Sequence, residues 1–125
     1  MAEKKKVLLI DDEVELVDAL KVGLEENDFE VIGAYDGSTG LEAARKEHPD
    51  LVVLDLMLPK MDGYKVCYLL KKDLRYANIP VILFSARARD EDRQMGEEAG
   101  ANAYIVKPSE FDVLLSKIRE LLPPV

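Results

Sequence analysis

The stretch that most constrains the fold lies near the middle of the chain and reads Leu51-Val-Val-Leu-Asp-Leu-Met-Leu-Pro59. Its continuous valine and leucine content is typical of a strand buried on both faces of a parallel sheet. A carboxylate inside such a run loses hydration and needs a cationic or hydrogen-bonding partner. Asp55 therefore either closes the strand and caps a loop or belongs to a polar site, and the rest of the chain distinguishes the two.

Strands and helices alternate along the predicted chain. Apolar runs predict strands over residues 7–10, 29–35, 81–84 and 103–106 and a third strand from Leu51 that holds Asp55, each followed by a segment with helical spacing. This alternation is typical of a parallel sheet with helices on both faces. We predict an α/β, doubly wound, five-stranded parallel sheet of order 2-1-3-4-5, a flavodoxin-like (βα)5 fold. The chain, 1–125, is expected to form one domain with a core over about 5–122.

Helix starts and buried faces are predicted from residue type and spacing. Asp12 with Glu15 resembles a capping box at the start of the first helix, and Ser109 is expected to start the last one. Pro123-Pro124 is expected to stop the last helix. The predicted buried face of the first helix comprises Val14, Val17, Leu20 and Leu24.

The fourth helical segment, residues 90–100, is poorly anchored. Met95 and Ala99 are nearly all the apolar side chains it offers. Gly96 costs about 1 kcal/mol relative to alanine in the middle of a helix. We expect this segment to be among the less stable elements, from which moving parts of proteins are drawn.

Charge and cysteine content exclude several classes of function. Lys and Arg total 17 against 25 Asp and Glu, and the net charge of −8 disfavours binding to nucleic acid phosphates. One cysteine, Cys67, excludes an internal disulfide and fits a buried side chain in a reducing compartment.

The apolar run before Asp11 is too short for a signal peptide or membrane span, so we expect a cytoplasmic protein. The one histidine, His48, precedes Pro49 and should lie at a solvated helix end.

Polar residues follow the predicted strands where each apolar run ends. Asp11 and Asp12 follow the first strand, Asp55 lies at the end of the third, Ser85 follows the fourth and Lys107 the fifth. In a doubly wound sheet, the carboxyl ends of the strands meet at one edge, and ligands bind where the winding direction reverses. We therefore expect these side chains to share one crevice.

Three neighbouring carboxylates raise one another's pKa and cannot all ionise unaided. A divalent cation resolves this conflict, and oxygen ligands without cysteine or histidine favour Mg²⁺ over zinc. A carboxylate beside Mg²⁺ and opposite a lysine and a hydroxyl suits phosphoryl transfer. We predict that one of these carboxylates attacks phosphorus while the metal, Lys107 and Ser85 hold the phosphoryl oxygens.

Four motifs carry a resemblance to a known family. They are Val7-Leu-Leu-Ile-Asp-Asp-Glu13, Asp55-Leu-Met-Leu-Pro-Lys-Met-Asp-Gly63, Pro80-Val-Ile-Leu-Phe-Ser-Ala86 and Ala103-Tyr-Ile-Val-Lys-Pro108. Over essentially its whole length, the chain resembles the receiver domains of two-component response regulators, such as chemotaxis regulators. The resemblance implies that Asp55 accepts phosphate from a histidine kinase or a histidine phosphotransfer protein. It also implies that the domain catalyses only its own phosphorylation and dephosphorylation.

The resemblance assigns metal ligands at the crevice. It implies that Asp12, Asp55 and the backbone carbonyl of Met57 ligate Mg²⁺, with Asp11 acting mainly through bound water. The side chains of Met57 and Arg87 are poorly suited to orient an attacking water. We therefore expect a long-lived phosphoryl group.

The resemblance also implies a switch. Lys107 grips the phosphoryl group, Ser85 swings toward it, and Tyr104 turns inward with Ser85. As an alternative, Tyr104 is a strand aromatic that packs on a neighbouring helix. The Lys107–Pro108 peptide bond matches one that is usually cis in the family.

Two arrangements of the output remain open. The domain either acts alone, signalling to an unknown downstream protein through the fourth helix, fifth strand and fifth helix, or belongs to a longer regulator with a C-terminal output domain. Pro123-Pro124-Val125 fits a natural end or the start of a linker. We expect no direct contact of this domain with nucleic acid or membrane, and a phosphorylation-dependent dimer is compatible with both arrangements.

Other function classes fit less well. A hydrolase of the haloacid dehalogenase type needs a second aspartate two residues after its nucleophile, and Met57 stands at that position. A flavin or nucleotide binder needs a glycine-rich loop after the first strand, where this chain is acidic and repels phosphate.

Overall fold

The computed structural model describes residues 3–122, along which ten elements alternate. These are β1 (Lys6–Ile10), α1 (Val14–Glu26), β2 (Glu30–Ala34), α2 (Gly37–Glu47), β3 (Leu51–Leu54), α3 (Gly63–Lys72), β4 (Val81–Ser85), α4 (Asp90–Glu98), β5 (Ala103–Val106) and α5 (Phe111–Leu121). All strand pairs are parallel, in the order β2-β1-β3-β4-β5, which confirms the predicted fold class. The predicted helix stop at Pro123-Pro124 and the outer ends of the predicted domain lie outside the described residues.

Side chains of the sheet alternate between two hydrophobic layers. Val7 and Leu9 of β1 belong to the layer under α1 and α5, whereas Leu8 and Ile10 belong to the layer under α2 and α3. β3 and β4 are buried at every position. Burial on both faces explains why these strands appear in the sequence as continuous apolar runs. Within residues 3–122, none of the helices combines the length and the apolar character needed to cross a membrane.

The pairing of β1 with β3 sets the position of the candidate site. Ile10 pairs with Leu54, so the residues that follow, Asp11 and Asp55, leave the sheet side by side. The N–H of Asp55 donates to the carbonyl of Ile10 at 3.0 Å, and the N–H of Asp11 donates to the carbonyl of Ala34 at 3.0 Å. Both aspartates are therefore held by backbone bonds that continue the sheet.

The start of α1 differs from the prediction. The residue before the helix is Glu13, whose side chain makes no capping bond, and its N–H donates to Oδ1 of Asp11 at 2.9 Å. The expected capping box at Asp12 is therefore wrong, because α1 begins one residue too late for it. Val14 is 52% exposed rather than buried, since it is the first helical residue and the first buried residue of α1 is Val17.

The start of α5 also differs from the prediction. The helix begins at Phe111 and is preceded by Glu110, so it starts two residues after Ser109. The hydroxyl of Ser109 donates to the carbonyl of Glu110 at 3.4 Å instead of accepting from the first turn.

The fourth helix is anchored differently from the prediction. Met95 is 48% exposed, and α4 buries Asp92 and Gly96 in its place. A Cβ atom at Gly96 would lie 2.6 Å from Cδ1 of Leu83. The missing side chain therefore allows α4 to approach β4 closely, so the residue that weakens the helix also permits its packing.

Candidate phosphoryl and metal site

Three aspartates form an acidic cluster at the carboxyl edge of the sheet. One carboxylate oxygen each from Asp11, Asp12 and Asp55 lies within 4.8 Å of the others. Asp11 and Asp55 are each 6% exposed, whereas Asp12 is open to solvent. The sheet register supplies two buried carboxylates, and the turn after β1 adds one that solvent can reach.

Lys107 crosses the edge of the sheet to reach this cluster. Its Nζ atom lies 2.6 Å from Oδ2 of Asp11, 3.3 Å from Oδ2 of Asp55 and 3.4 Å from Oε1 of Glu13. The lysine directly follows β5, and its N–H donates to the carbonyl of Ser85 at 2.8 Å. Its ammonium also lies 5.4 Å from the centre of the Phe84 ring. One cation is thus shared by several carboxylates.

Burial and neighbouring charge shift the pKa values of Lys107 and Asp11 in opposite directions. Burial lowers the pKa of Lys107, but the hydrogen bond and charge of Asp11, together with the charges of Asp55 and Glu13, outweigh it and raise that pKa. At Asp11, burial raises the pKa more than the bonds from Lys107 and from the Glu13 N–H lower it. The raised pKa of Asp11 means that the charge of this carboxylate is incompletely compensated by its partners. The cluster therefore still favours additional positive charge.

The donor set fits Mg²⁺. The acidic cluster offers three carboxylate oxygens, and hard oxygen donors with room for water are what Mg²⁺ selects. The softer donors lie elsewhere: Cys67 is buried in α3, and His48 is exposed at the end of α2, where its ring stacks on Tyr76 at 5.8 Å. The residues present therefore agree with the expected ion.

Local backbone contacts orient Asp55. The N–H of Met57 donates to Oδ1 of Asp55 at 3.2 Å, while the side chain of Met57 is 58% exposed. Gly63 begins α3 directly behind this turn, and its N–H donates to the carbonyl of Leu56 at 2.9 Å. A Cβ at Gly63 would lie 2.2 Å from the backbone oxygen of Asp55. The Asp62-Gly63 motif therefore lets α3 support the turn that holds Asp55.

Ser85, at the end of β4, and Tyr104, within β5, both form hydrogen bonds with the backbone of Arg87. Ser85 is fully buried at the end of β4, and its Oγ accepts from the N–H of Arg87 at 3.4 Å. The phenol of Tyr104 donates to the carbonyl of Arg87 at 2.8 Å. Within residues 3–122, neither side chain forms a hydrogen bond with the acidic cluster. The Lys107–Pro108 peptide bond is cis.

Two polar residues near this edge were not singled out from the sequence. Glu13 contacts Lys107, and its place directly after Asp11 and Asp12 was a usable signal. Asp92 is 6% exposed in α4, where it accepts from the hydroxyl of Tyr64 at 3.1 Å. It is surrounded in the sequence by other charged residues, so no local pattern distinguishes it from a solvated position.

Comparison with protein families and curated sequences gives consistent results. The family model described as "Response regulator receiver domain" matches residues 7–119. The chain is 39% identical over 117 residues to the "DNA-binding dual master transcriptional regulator RpaA" of Synechocystis sp., covering 94% of this chain and 48% of that protein. It is 44% identical over 119 residues to the "Probable transcriptional regulator ycf27" of Cyanophora paradoxa, covering 95% and 48%. The chain therefore spans about half the length of the curated relatives it matches.

Solved structures show the same similarity over nearly whole chains. The receiver domain of the Francisella response regulator 1452 superposes with a TM-score of 0.87 at 31% identity, covering 94% of this chain and 96% of that one. A CheY-like receiver domain protein from Methanospirillum hungatei gives 0.90 at 32% identity, covering 95% and 94%. The BeF3-activated N-terminal receiver domain of RstA from Klebsiella pneumoniae gives 0.88 at 30% identity, covering 96% and 100%.

Proposed function

Because this chain belongs to the family of response regulator receiver domains of two-component systems, we propose that Asp55 is its phosphoryl acceptor. The family resemblance predicted from the four motifs is confirmed by the match over residues 7–119. The single observation that carries the residue assignment is the convergence of Lys107 on Asp11 and Asp55 from the far side of the sheet. The donor we propose is a phosphohistidine on a kinase or a histidine phosphotransfer protein.

In the proposed step, an Oδ atom of Asp55 attacks phosphorus and forms a new P–O bond. The P–N bond of the phosphohistidine breaks, and its electron pair stays on the imidazole nitrogen, which then takes up a proton from solvent. Lys107 meets the charge that develops on the phosphoryl oxygens, and the Met57 N–H holds the carboxylate in orientation. The domain thus acts as a regulator whose catalysis is confined to its own phosphorylation and dephosphorylation.

We propose that Mg²⁺ is held by Asp12, Asp55 and the carbonyl of Met57, with Asp11 as a ligand through water. The chemistry of the acidic cluster supports this assignment, since its oxygens lie close together and Asp12 is open to solvent. Bound Mg²⁺ supplies charge that offsets the repulsion between the carboxylates and the incoming phosphoryl oxygens.

We propose that Ser85 donates to the phosphoryl group after transfer and that Tyr104 follows it inward. Both side chains form hydrogen bonds with the backbone of Arg87, which lies between β4 and α4. A movement of Arg87 therefore changes both contacts. The face formed by α4, β5 and α5 then differs between the two states and selects the downstream partner.

We propose that the donor protein docks on a groove beside Lys107. This groove has a volume of about 340 Å³ and is lined by Glu13, Leu16, Phe84, Ala86, Lys107, Pro108 and Ser109. Most of its lining side chains are uncharged, with Glu13 and Lys107 as the charged members, which suits docking of a helix that presents a phosphohistidine. The proposal includes a cytoplasmic setting, which suits the buried free thiol of Cys67.

Output through a protein partner or a linked domain fits the charge of this chain. A net charge of −8 disfavours direct contact with nucleic acid. RpaA is described as DNA-binding, and the segment that matches this chain is about half of RpaA. We propose that any DNA contact belongs to a partner or a further domain, and that phosphorylation acts by changing dimerisation or docking on the α4, β5 and α5 face.

The proposal is tested by incubation with acetyl phosphate and Mg²⁺, followed by intact mass measurement and peptide mapping. One added phosphoryl group on the peptide that contains Asp55 is expected, with no addition in Asp55→Asn or in excess EDTA. Asp18→Asn, at an exposed aspartate of α1, is the matched control and should be modified like the wild type. Modification of Asp55→Asn to the wild-type extent would exclude Asp55 as the acceptor.

A further inference from the structure

The fourth helix is held to the rest of the domain by unusual means. Its buried residues are an aspartate and a glycine one turn apart, Asp92 and Gly96, and it buries no large apolar side chain. Hydrophobic burial, which attaches most helices, therefore contributes little here. A polar contact at Asp92 consequently supplies a larger share of the attachment than it would elsewhere.

Asp92 makes that contact with α3. The hydroxyl of Tyr64 lies 3.1 Å from Oδ1 of Asp92 and 3.1 Å from its backbone oxygen. Burial, followed by the hydrogen bond and charge of Asp92, raises the pKa of Tyr64 to about 12, so the phenol keeps its proton at neutral pH. The first turn of α4 is thus fastened to the first turn of α3, which directly follows the loop after Asp55.

The same carboxylate faces Arg87. The Nη1 atom of Arg87 lies 3.9 Å from Oδ1 of Asp92. The backbone of Arg87 in turn donates to Ser85 Oγ and accepts from the phenol of Tyr104. Arg87 therefore connects the Ser85 hydroxyl at the end of β4, the aromatic side chain of Tyr104 in β5 and the buried carboxylate of Asp92 in α4.

We propose that Tyr64 and Asp92 form a latch that holds Arg87 and the first turn of α4 in the arrangement present before phosphorylation. This inference rests on the proposed function, since the process it regulates is phosphoryl acceptance at Asp55. A displacement of Ser85 Oγ toward a phosphoryl group breaks the hydrogen bond that it accepts from the Arg87 N–H. A latch that fixes Arg87 through Asp92 opposes this change and lowers the population of the phosphoryl-binding state.

The test compares two tyrosines of the same helix. Tyr64→Phe removes the latch hydroxyl and keeps the ring, whereas Tyr68→Phe removes a hydroxyl from a side chain that is 53% exposed. Affinity for beryllofluoride, a phosphoryl mimic, is measured by calorimetry in the presence of Mg²⁺, and the initial rate of phosphorylation by acetyl phosphate is measured in parallel. From the ordinary contribution of one hydrogen bond, Tyr64→Phe should bind beryllofluoride about two to ten times more tightly than wild type. Tyr68→Phe should match the wild type.

A second readout needs no phosphoryl chemistry. The N–H groups of Asp92 and Arg93 both donate to the carbonyl of Arg89, so their hydrogen exchange reports opening of the first turn of α4. Exchange at these amides should be about two to ten times faster in Tyr64→Phe than in Tyr68→Phe, the same factor as expected for beryllofluoride affinity. Asp92→Asn keeps an acceptor for Tyr64 but removes the charge that faces Arg87, and it should also raise the affinity for beryllofluoride.

The outcomes separate the latch from the proposed function. If wild type binds beryllofluoride at Asp55 and Tyr64→Phe binds it equally or more weakly, the latch is overturned and the phosphoryl site stands. Unchanged amide exchange in Tyr64→Phe overturns the latch as well, whatever the binding result. If wild type binds no beryllofluoride and Asp55→Asn behaves identically, the proposed function fails, and the regulatory role of the latch fails with it.

Discussion

The Nζ atom of Lys107 lies 2.6 Å from Oδ2 of Asp11, although 96 positions of the chain separate the two residues. β1 and β5 are not neighbours in the sheet, so the lysine side chain reaches past the ends of β3 and β4 to make this contact. The pair therefore joins the two sides of the carboxyl edge, and the same Nζ atom lies 3.3 Å from Oδ2 of Asp55. This ion pair therefore contributes both to the stability of the domain and to the proposed phosphoryl chemistry.

Replacing Lys107 should destabilise the domain. Lys107→Met leaves the buried carboxylates Asp11 and Asp55 without their cation, which should lower the free energy of unfolding in EDTA by about 1–3 kcal/mol. Added Mg²⁺ should recover part of this loss, because it binds the folded state. Urea unfolding with and without Mg²⁺ measures both effects. Lys21→Met, at an exposed lysine of α1, should change stability by less than about 0.5 kcal/mol. Equal stability of the two variants would contradict the expected role of the ion pair.

Replacing Asp12 should weaken Mg²⁺ binding but change the stability of the fold little. It is the solvent-exposed member of the acidic cluster, so Asp12→Asn should change the stability of the metal-free domain by about 0.5 kcal/mol or less. Loss of one ligand charge should weaken Mg²⁺ binding by about tenfold or more. The rise in melting temperature with Mg²⁺ concentration measures this affinity. Asp18→Asn serves as the control, and an unchanged Mg²⁺ response in Asp12→Asn would remove this residue from the ligand set.

A side chain at Gly63 should disturb the turn that holds Asp55. The new Cβ in Gly63→Ala would overlap backbone atoms of Asp55 and Leu56, which cannot move aside as a side chain can. We expect a loss of about 2 kcal/mol or more in urea unfolding, together with slower phosphorylation by acetyl phosphate. In the control, Gly23→Ala, the nearest atoms belong to the far end of the Phe111 side chain rather than to backbone, and alanine favours the helix. If Gly63→Ala were as stable as Gly23→Ala, steric support of Asp55 by α3 would be wrong.

The carboxyl edge could be predicted from sequence because its residues lie directly beside strands that are buried. Asp11, Asp55 and Lys107 each lie where an apolar run ends, and a parallel sheet brings such ends to one edge. The predictions of the strand order and of the carboxylate cluster therefore relied on patterns within short segments. Exact helix starts were less predictable, because the Asp11 carboxylate accepts the Glu13 N–H where a capping box was expected.

The anchoring of α4 was beyond sequence reasoning for a different reason. Asp92 is buried because Tyr64, on another helix, supplies its hydrogen bond, and nothing in the sequence near Asp92 encodes that contact. Gly96 likewise depends on the position of Leu83 in β4. Both contacts are tertiary, so hydrophobic spacing pointed to Met95, which is exposed.

Cys67 should be unreactive in the folded domain and should lower stability at high pH. Burial raises the pKa of its thiol to about 11 from an ordinary 9.0. The unfolded chain therefore loses this proton first, so the contribution of Cys67 to stability is constant below pH 9.0 and declines as pH rises toward about 11, by roughly 1.4 kcal/mol per unit at most. Urea unfolding of wild type and Cys67→Ala across this range isolates the effect, since other alkaline groups are common to both. Parallel pH profiles would contradict it.

The phosphoryl group on Asp55 should be long-lived. The Met57 side chain is 58% exposed and has no group that can orient water, and the cationic Arg87 lies beside Asp92 and cannot act as a base. We expect loss of the phosphoryl group, followed by intact mass after acetyl phosphate is removed, to take minutes to hours. Met57→Gln adds a polar group beside the acyl phosphate and should shorten the lifetime several-fold, whereas Met57→Leu should preserve it. Hydrolysis of the wild type within seconds would show that another group positions the water.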